Sequence, residues 1–225
     1  EQLQTIRSYH YEGIILLGTT MSRSEVLPFE RLDIPVVLLD AFFPNLNMDC
    51  VVINNVDSAE TITDYLIKKR QQQPGYLHSA CDIVNFGERS LGFFNAVRKN
   101  AMPASKSIIH RLAPSVDGAY ADMLEILNQN EPLAACYFAD NDEIAIGAIR
   151  AFKEKGYQIP EDIAIVGFDN LPYSTFLEPP LTTIDVPKAF MGEVAVRQLL
   201  TAIRDKSPFH IKIEINTSLI LRDSI

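Results

Sequence analysis

The sequence predicts an α/β fold built on parallel sheets, and two patterns lead to this prediction. Short runs rich in Val, Ile and Leu alternate with longer amphipathic segments along the chain, which is typical of βαβ units. The short runs are apolar throughout rather than at every second residue, as expected of strands that helices cover on both faces. A chain of 225 residues has room for one large domain or for two smaller lobes.

Eight segments have the length and composition of buried strands. In chain order they span 13–17, 36–39, 51–53, 75–78, 107–110, 134–138, 163–168 and 211–215. Four segments carry apolar residues at helical spacing, namely 57–69 with Ile62 and Leu66, 87–100 with Leu91 and Phe94, 143–155 with Ile144 and Ala148, and 191–204 with Leu199 and Ile203. Gly156 directly follows the third helix and is expected to end it.

The composition is that of a globular domain and argues against two kinds of surface. Hydrophobic residues make up 47% of the chain and charged residues 22%, which is ordinary. The formal net charge of −9 disfavours a nucleic-acid-binding surface, because contacts to phosphates need clustered Lys and Arg. A DNA-binding part of the parent protein is therefore expected outside this segment. No apolar run reaches the roughly 18 residues of a membrane span, so no membrane partner is expected.

The chemistry-bearing residues predict neither a metal centre nor an enzyme. Cys50, Cys81 and Cys136 are widely spaced and form no CxxC pair, so a zinc site is not expected. Buried free thiols in a reducing cytoplasm are the favoured interpretation, with a disulfide as the alternative. The chain has no GxxxxGK[ST], GxGxxG, HExxH or GxSxG motif. No cofactor is therefore expected.

The segment from 160 to 200 carries the most specific motifs. The apolar run 163–168 ends in Asp169 and Asn170, so a buried strand delivers a carboxylate to its carboxyl end, where ligands bind in open α/β sheets. This VGFDN motif is followed by EPPLTTIDVP and then by a helix beginning MGEVAV. Together they resemble the effector-binding module of the LacI/GalR family of bacterial transcription regulators, which is similar to the periplasmic sugar-binding proteins.

The resemblance implies two Rossmann-like lobes with parallel sheets, of the periplasmic-binding-protein-like type I fold. The chain would cross between the lobes near 72–75, 181–185 and 206–210. The N-terminal lobe would comprise 1–73 and 183–207, and the C-terminal lobe 74–182 and 208–225. Compared with the family pattern, the chain starts inside a helix, so a first strand–helix–strand and a helix-turn-helix are expected to be missing and the first lobe to be incomplete.

Three residues match the family's effector-binding positions. Arg89 lies in an R-x-x-GF motif, Asn141 in ADND, and Asp169 in VGFD. In relatives these positions bind the effector, and their chemistry suits a polyol, because a carboxylate accepts from neighbouring hydroxyls while a guanidinium donates in a planar fork. Each also has an ordinary interpretation: Arg89 as a solvated residue at a helix start, Asn141 as a helix cap, and Asp169 as a turn residue.

Three further residues are weaker candidates for ligand binding. Asn54, in VVINNVDSAETITDYL, stands where the family motif has an aspartate. Phe86, expected in a loop, and Phe168, at a strand end, are candidate stacking platforms for a sugar. A phenylalanine on a strand is more often part of the core.

These observations lead to one main hypothesis and two alternatives. The main hypothesis is a cytoplasmic, homodimeric transcription regulator whose effector-binding module takes a small sugar between two lobes and contacts operator DNA only through a missing N-terminal domain. The first alternative is an extracytoplasmic sugar-binding protein of a transport system, which would share the fold. An enzyme acting on a small sugar or nucleoside is the weakest alternative.

Overall fold

The computed structural model describes residue 6 and residues 11–225, in ten strands and six α-helices. The strands are β1 (Ile14–Leu17), β2 (Val36–Leu39), β3 (Asp49–Ile53), β4 (Gly75–Ser79), β5 (Ile109–Leu112), β6 (Cys136–Ala139), β7 (Ala164–Val166), β8 (Thr183–Asp185), β9 (Lys212–Ile215) and β10 (Ser218–Ile220). The helices are α1 (Arg23–Glu30), α2 (Asn55–Arg70), α3 (Val84–Lys99), α4 (Val116–Asn128), α5 (Asp142–Glu154) and α6 (Lys188–Asp205).

The described chain divides into two compact units. The first comprises the chain up to Asn54, together with Ile83–Asn85 and Pro187–Asn216. The second comprises Asn55–Asp82, Phe86–Val186 and Thr217–Ile225. Each unit has its own parallel sheet, so the expectation of an α/β fold in two parts is confirmed.

The first unit is built on a four-stranded parallel sheet in the order β1-β2-β3-β9. Strands β1 and β2 consist only of apolar residues, and β3 is buried along its whole length. Helix α1 packs its buried Val26 and Phe29 into the core of this unit. A capping box of Ser22 and Glu25 starts that helix by satisfying two of its end N–H groups. Helix α6 packs against β2 and β3.

The second unit is built on a four-stranded parallel sheet in the order β5-β4-β6-β7, beside an antiparallel pair of β8 and β10. Helix α5 is buried along most of its length and packs closely on α4. Gly147 makes this approach possible, because a Cβ there would lie 2.5 Å from the carbonyl oxygen of Val116 and 2.7 Å from the Cβ of Ala119. Gly156, with φ +88°, follows the end of α5 as expected.

The eight predicted strands and the four predicted helices after residue 13 all occur among the described residues, with ends that shift by no more than three residues. Four elements escaped prediction: α1, α4, β8 and β10. The short β8 and β10 depend on pairing with each other, which no local pattern reveals. The helix expected at the start of the chain falls almost entirely outside the described residues.

The predicted lobe boundaries differ from the two units in two long segments, 55–73 and 208–216, and in two short ones, 83–85 and 183–186. Residues 55–73 were assigned to the first lobe, but α2 packs against β6 and β10 and lies in the second unit. Residues 208–216 were assigned to the second lobe, but β9 pairs with β3, with Cys50 opposite Lys212. The chain changes unit between Asn54 and Asn55, where a strand leads directly into a helix. The glutamines at 71–73 form an ordinary connection inside the second unit.

All three cysteines are free thiols, as expected, but only two of them are buried. Cys50 and Cys136 are buried and Cys81 is exposed. Burial raises the pKa of Cys50 to about 11 and that of Cys136 to about 12, so both stay protonated. Within the part of the chain that the structure describes, no helix is long and apolar enough to cross a membrane.

A fully buried carboxyl group lies at the start of α5. Asp142 accepts hydrogen bonds from the Thr183 hydroxyl at 2.6 Å and from the Leu171 N–H at 2.7 Å. Burial raises its pKa to about 7, although these two hydrogen bonds act in the opposite direction. The group therefore connects α5 to both the turn after β7 and strand β8, and it carries a proton over part of the physiological pH range.

The close contact of α5 with α4 makes Gly147 intolerant of a side chain. Gly147→Ala is expected to lower the free energy of unfolding by about 1–3 kcal/mol, because the added methyl group forces the helices apart. Gly192 in α6 is the matched control, since a Cβ there meets no atom within 4 Å. Gly192→Ala is expected to raise stability by about 0.5–1 kcal/mol through helix propensity. Equilibrium urea denaturation measures both, and equal stabilisation by the two substitutions would contradict the packing argument.

The raised pKa of Asp142 predicts a pH-dependent stability of known sign. Since its pKa is about 7 in the folded protein against an ordinary 3.8, the folded state holds an extra proton between these values. The stability that this proton contributes is complete below about pH 4 and is lost as the pH rises through 7, at no more than about 1.4 kcal/mol per pH unit. Asp142→Asn removes this slope.

Urea denaturation at several pH values tests this prediction. The exposed Asp117, 95% accessible in its side chain, supplies the control Asp117→Asn, which is expected to keep the wild-type slope. Parallel stability curves for wild type and Asp142→Asn between pH 4 and 8 would refute the assignment.

Candidate functional site

Polar groups gather at the carboxyl ends of the strands in the second unit. Ser79 ends β4, Asp140 follows β6, and Asp169 comes three residues after β7. Because these strands are parallel and adjacent, the three residues lie at one edge of the sheet. That edge is the usual ligand-binding position of an open α/β sheet.

Arg89 forms hydrogen bonds to several of the groups at this edge. It lies in α3 and is 5% exposed, so it is not the solvated helix residue of the alternative interpretation. Its Nε donates to Oδ1 of Asn55 at 3.0 Å, its Nη1 to the carbonyl oxygen of Asp140 at 2.5 Å, and its Nη2 to Oδ1 of Asp169 at 3.3 Å. These bonds use three of the five N–H donors of a guanidinium, and they hold the group in one orientation.

Asp169 offers a partly accessible carboxylate beside this buried cation. Its side chain is 24% exposed, against 6% for Arg89. The backbone is held by a hydrogen bond from its N–H to the carbonyl oxygen of Ile184 at 2.9 Å. Its φ of 108° is strained for a residue with a Cβ. Asp169 forms an isolated parallel bridge with Asp185, so it is not the ordinary turn residue of the alternative interpretation.

Asp140 is an anchor of the strand ends. It is fully buried and accepts hydrogen bonds from the Tyr76 hydroxyl and from the Ser79 N–H, the latter at 2.6 Å. Its other contact is His78, whose Nδ1 lies 2.6 Å from Oδ2. Burial and the neighbouring Asp140 raise the pKa of Tyr76 far above its usual value, so the phenol remains a donor. These contacts fix the backbone whose carbonyl receives Arg89.

Asn141 caps helix α5. Its Oδ1 accepts the N–H of Ile144 at 2.9 Å, and its φ and ψ are extended, as at a helix N-cap. The capping interpretation is thus confirmed for Asn141. The side chain is 9% exposed, so direct effector contact through its amide group stays a separate prediction.

The two aromatic candidates differ from the sequence expectation. Phe168 is fully buried, and the guanidinium carbon of Arg89 lies 3.7 Å from its ring centroid. Its ring therefore supports the arginine through a cation–π contact, and it is not a free platform. Phe86 lies in α3 rather than in a loop, is 7% exposed, and has its ring centroid 5.6 Å from the same guanidinium. The guanidinium of Arg89 lies over the faces of both rings. Local sequence does not reveal this contact.

The first unit has its own polar residues at strand ends. Asn54 follows β3, is half-buried, and donates its backbone N–H to the carbonyl oxygen of Ile215 at 3.1 Å. Asp40 follows β2 with φ 59° and accepts from the Thr19 hydroxyl at 2.6 Å and from Nδ2 of Asn85 at 3.1 Å. Sequence reasoning missed Thr19 and Asp40. The pattern VVLLD could have indicated Asp40, because it is an apolar run followed by an aspartate, like IVGFD before Asp169.

The described polar groups at this sheet edge do not form a metal centre. The described residues contain no cluster of three or more His, Cys, Asp or Glu side chains that would hold a metal ion. The carboxylates at the sheet edge accept hydrogen bonds from protein donors. The arrangement is suited to recognising hydroxyl groups.

Comparison with known proteins places the chain in a family. The family model of the periplasmic binding protein-like domain matches residues 63–225. The HTH-type transcriptional regulator GalS of Salmonella typhimurium is 34% identical over 165 residues, covering 73% of this chain and 48% of the regulator. The HTH-type transcriptional repressor PurR of Mannheimia succiniciproducens is 31% identical over 227 residues, covering 99% of this chain and 67% of the repressor. The chain thus spans about half to two thirds of these relatives.

Solved structures agree with this placement. The transcriptional regulator CelR in complex with cellobiose superposes with a TM-score of 0.87 at 25% identity, over 98% of this chain and 68% of that one. A LacI family transcriptional regulator from Enterococcus faecium with bound ribose gives a TM-score of 0.84 at 25% identity, over 99% of this chain and 81% of that one. By its family match, its relatives and its fold, the chain belongs to the LacI family of transcriptional regulators, in their periplasmic binding protein-like domain.

Proposed function

We propose that the chain is the effector-sensing module of a bacterial transcription regulator and that a small neutral sugar is its effector. The observation that carries this proposal is the pairing of a buried, oriented Arg89 with a partly exposed Asp169 at the carboxyl edge of a parallel sheet. Asn141 and Asn54 are the further proposed ligand residues. Phe168 and Phe86 act indirectly, by packing around the arginine.

The chemistry of the edge favours neighbouring hydroxyl groups. A carboxylate accepts from two hydroxyls, and the guanidinium has two N–H groups beyond the three used in the described hydrogen bonds, which we propose as donors to the effector. Each such charge-assisted bond contributes about 1.5–3 kcal/mol net. Two or three of them account for a dissociation constant in the micromolar to millimolar range.

The charge at this edge supports a neutral effector over an anionic one. Three arginines, Arg89, Arg111 and Arg222, are outnumbered by carboxylates in the same part of the second unit: Glu88, Asp140, Asp169 and Asp185. The Asp142 carboxyl, whose pKa is raised to about 7, adds a partial negative charge. Several of these carboxylates accept hydrogen bonds from protein donors. In the described contacts no lysine pairs with any of them. A phosphorylated sugar would have to bind against this excess of negative charge.

The relatives support a regulator over the transport alternative, because GalS and PurR are transcriptional regulators by name. In the intact protein we propose that a preceding DNA-binding domain contacts the operator, that the protein is a cytoplasmic homodimer, and that it has no enzymatic activity. The effector then acts by binding one conformation of the module better than another. A tenfold change in operator affinity requires only about 1.4 kcal/mol of coupling.

A thermal-shift screen of the purified chain tests the effector class. The panel contains D-ribose, D-galactose, cellobiose, glucose 6-phosphate and guanine. A sugar at 100 times its dissociation constant contributes about 2.7 kcal/mol of stability, which raises the melting temperature by several degrees for a domain of this size. A selective shift with a neutral sugar is expected. A shift with glucose 6-phosphate or guanine alone would contradict the neutral-sugar proposal.

Asp169→Asn is expected to weaken binding of the sugar that gives the largest shift by at least tenfold. The amide keeps the size of the carboxylate and loses its charge and one acceptor. Isothermal titration calorimetry measures the change, with Asp117→Asn on the exposed side of α4 as the matched control. An Asp169→Asn titration that matches the control would remove Asp169 from the site.

Arg89→Lys is also expected to weaken binding at least tenfold, since an ammonium group cannot reproduce a planar fork that reaches three acceptors. Calorimetry gives the affinity, and a separate melting curve reports the stability lost with the buried hydrogen bonds. Arg150→Lys is the control, because Arg150 is exposed and forms a comparable cation–π contact at 4.0 Å from the Tyr120 ring. Wild-type affinity in Arg89→Lys would show that the guanidinium is not a ligand group.

A further inference from the structure

We infer that Arg222, near the end of the chain, is a positioning residue that sets effector affinity by holding the turn at Asp169 and Asn170. This inference rests on the proposed function, because it concerns the regulation of the same site. Arg222 lies in the segment SLILRDSI at the end of the chain. Its assignment comes from the contacts of its guanidinium and from the backbone geometry of the turn.

The turn needs support from outside itself. Two successive residues have positive φ, 108° at Asp169 and 48° at Asn170. Such conformations cost free energy for residues with a Cβ and persist where the surroundings hold them. The backbone N–H of Asp169 bonds to Ile184 at 2.9 Å, and that of Asn170 reaches the Thr183 hydroxyl at a longer 3.3 Å. Side chains add to this support.

The Asn170 side chain is held from both sides by charged groups. Its Nδ2 donates to Oδ1 of Asp185 at 2.7 Å, and its Oδ1 accepts from Nη2 of Arg222 at 2.6 Å. Both are charge-assisted hydrogen bonds, which are about twice as strong as neutral ones. The amide is thereby fixed in one plane, and this fixes the φ of its own residue and the direction of the preceding Asp169 carboxylate.

Arg222 is itself held in place by the segment that precedes β8 and by the end of the chain. Its Nη1 donates to the carbonyl oxygen of Leu181 at 2.7 Å and to Oγ of Ser174 at 3.1 Å. The backbone of Arg222 exchanges two hydrogen bonds with the Thr182 hydroxyl, at 2.9 and 3.0 Å. Two residues later, the buried Ser224 donates to the carbonyl oxygen of Ile165 at 2.6 Å. The guanidinium is therefore a fixed support rather than a mobile surface group.

The supporting residue, Arg222, is distinct from the residues proposed to contact the effector. Arg89 and Asp169 are the proposed contacts with the effector, whereas the described hydrogen bond from Arg222 toward the site goes to the Asn170 amide. Its removal is expected to leave the Asp169 carboxylate chemically intact and to let its position vary. Affinity for a sugar falls in that case because the acceptor is no longer preorganised.

A double-mutant cycle distinguishes positioning from a general loss of structure. Arg222→Gln is expected to raise the dissociation constant for D-ribose or cellobiose, whichever the chain binds, at least fivefold. In an Asn170→Gly background the same substitution is expected to have less than a twofold effect, because glycine has no amide to hold and adopts positive φ without support. An equal loss of affinity in both backgrounds would overturn the inference.

The control is Arg70→Gln in the same unit. Arg70 is also half-buried and also donates to a distant carbonyl oxygen, that of Glu161 at 3.1 Å. It lies near Cys136, which begins β6 at the opposite end of the sheet. Arg70→Gln is expected to leave sugar affinity within twofold of wild type, and the melting temperatures of both variants are measured alongside. A loss of affinity with Arg70→Gln equal to that of Arg222→Gln would mean that stability alone controls binding.

Hydrogen exchange supplies a readout that needs no effector. Arg222→Gln is expected to speed exchange at least tenfold in the peptide 167–175 and to leave the peptide 136–140 unchanged. Unchanged exchange in 167–175 would overturn the inference, whatever the binding data. If the wild-type chain binds no sugar of the panel, the proposed effector class fails, and the exchange experiment still decides the role of Arg222.

Discussion

The second unit depends on the burial of one guanidinium group. Transferring a cation into a protein interior is costly unless hydrogen bonds and an opposite charge accompany it. Arg89 satisfies this condition only when the start of α2, the end of β6 and the turn after β7 are all in place, since each supplies one acceptor. The ring of Phe168 beneath it adds a cation–π contact. The arginine thus makes the formation of these three elements mutually dependent.

This dependence also explains why the edge suits ligand binding. A donor group whose orientation is already fixed loses little conformational freedom when it binds a hydroxyl group. The cost of ordering Arg89 belongs to folding, and its Nη2 lies 3.3 Å from the partly exposed Asp169 carboxylate. A donor and an acceptor held together in this way match the alternating character of a polyol, in which each hydroxyl both donates and accepts.

Local sequence predicted the strands well and the organisation of the chain poorly, for a physical reason. A strand covered on both faces is apolar along its length, which is a property of the segment alone. The assignment of β9 to the first unit depends on its pairing with β3, from a distant part of the chain, and no local pattern reports such pairing. The change of unit at Asn54 likewise has no linker composition to mark it. Phe86 was misplaced because its helix begins earlier than its apolar spacing indicates.

The ADND segment shows where sequence reasoning about the site reaches its limit. Asp140 anchors the ends of β4 and β6, Asn141 caps α5, and Asp142 holds the turn after β7. These three residues of similar chemistry are all at least nine-tenths buried, whereas the Asp169 side chain is 24% exposed. Replacing a buried acceptor leaves its donors unsatisfied, at about 1–3 kcal/mol for each. A change of ligand preference is therefore expected to arise at Asp169, where an altered acceptor meets the ligand, and not at Asp140 or Asp142, where it would first disrupt the fold.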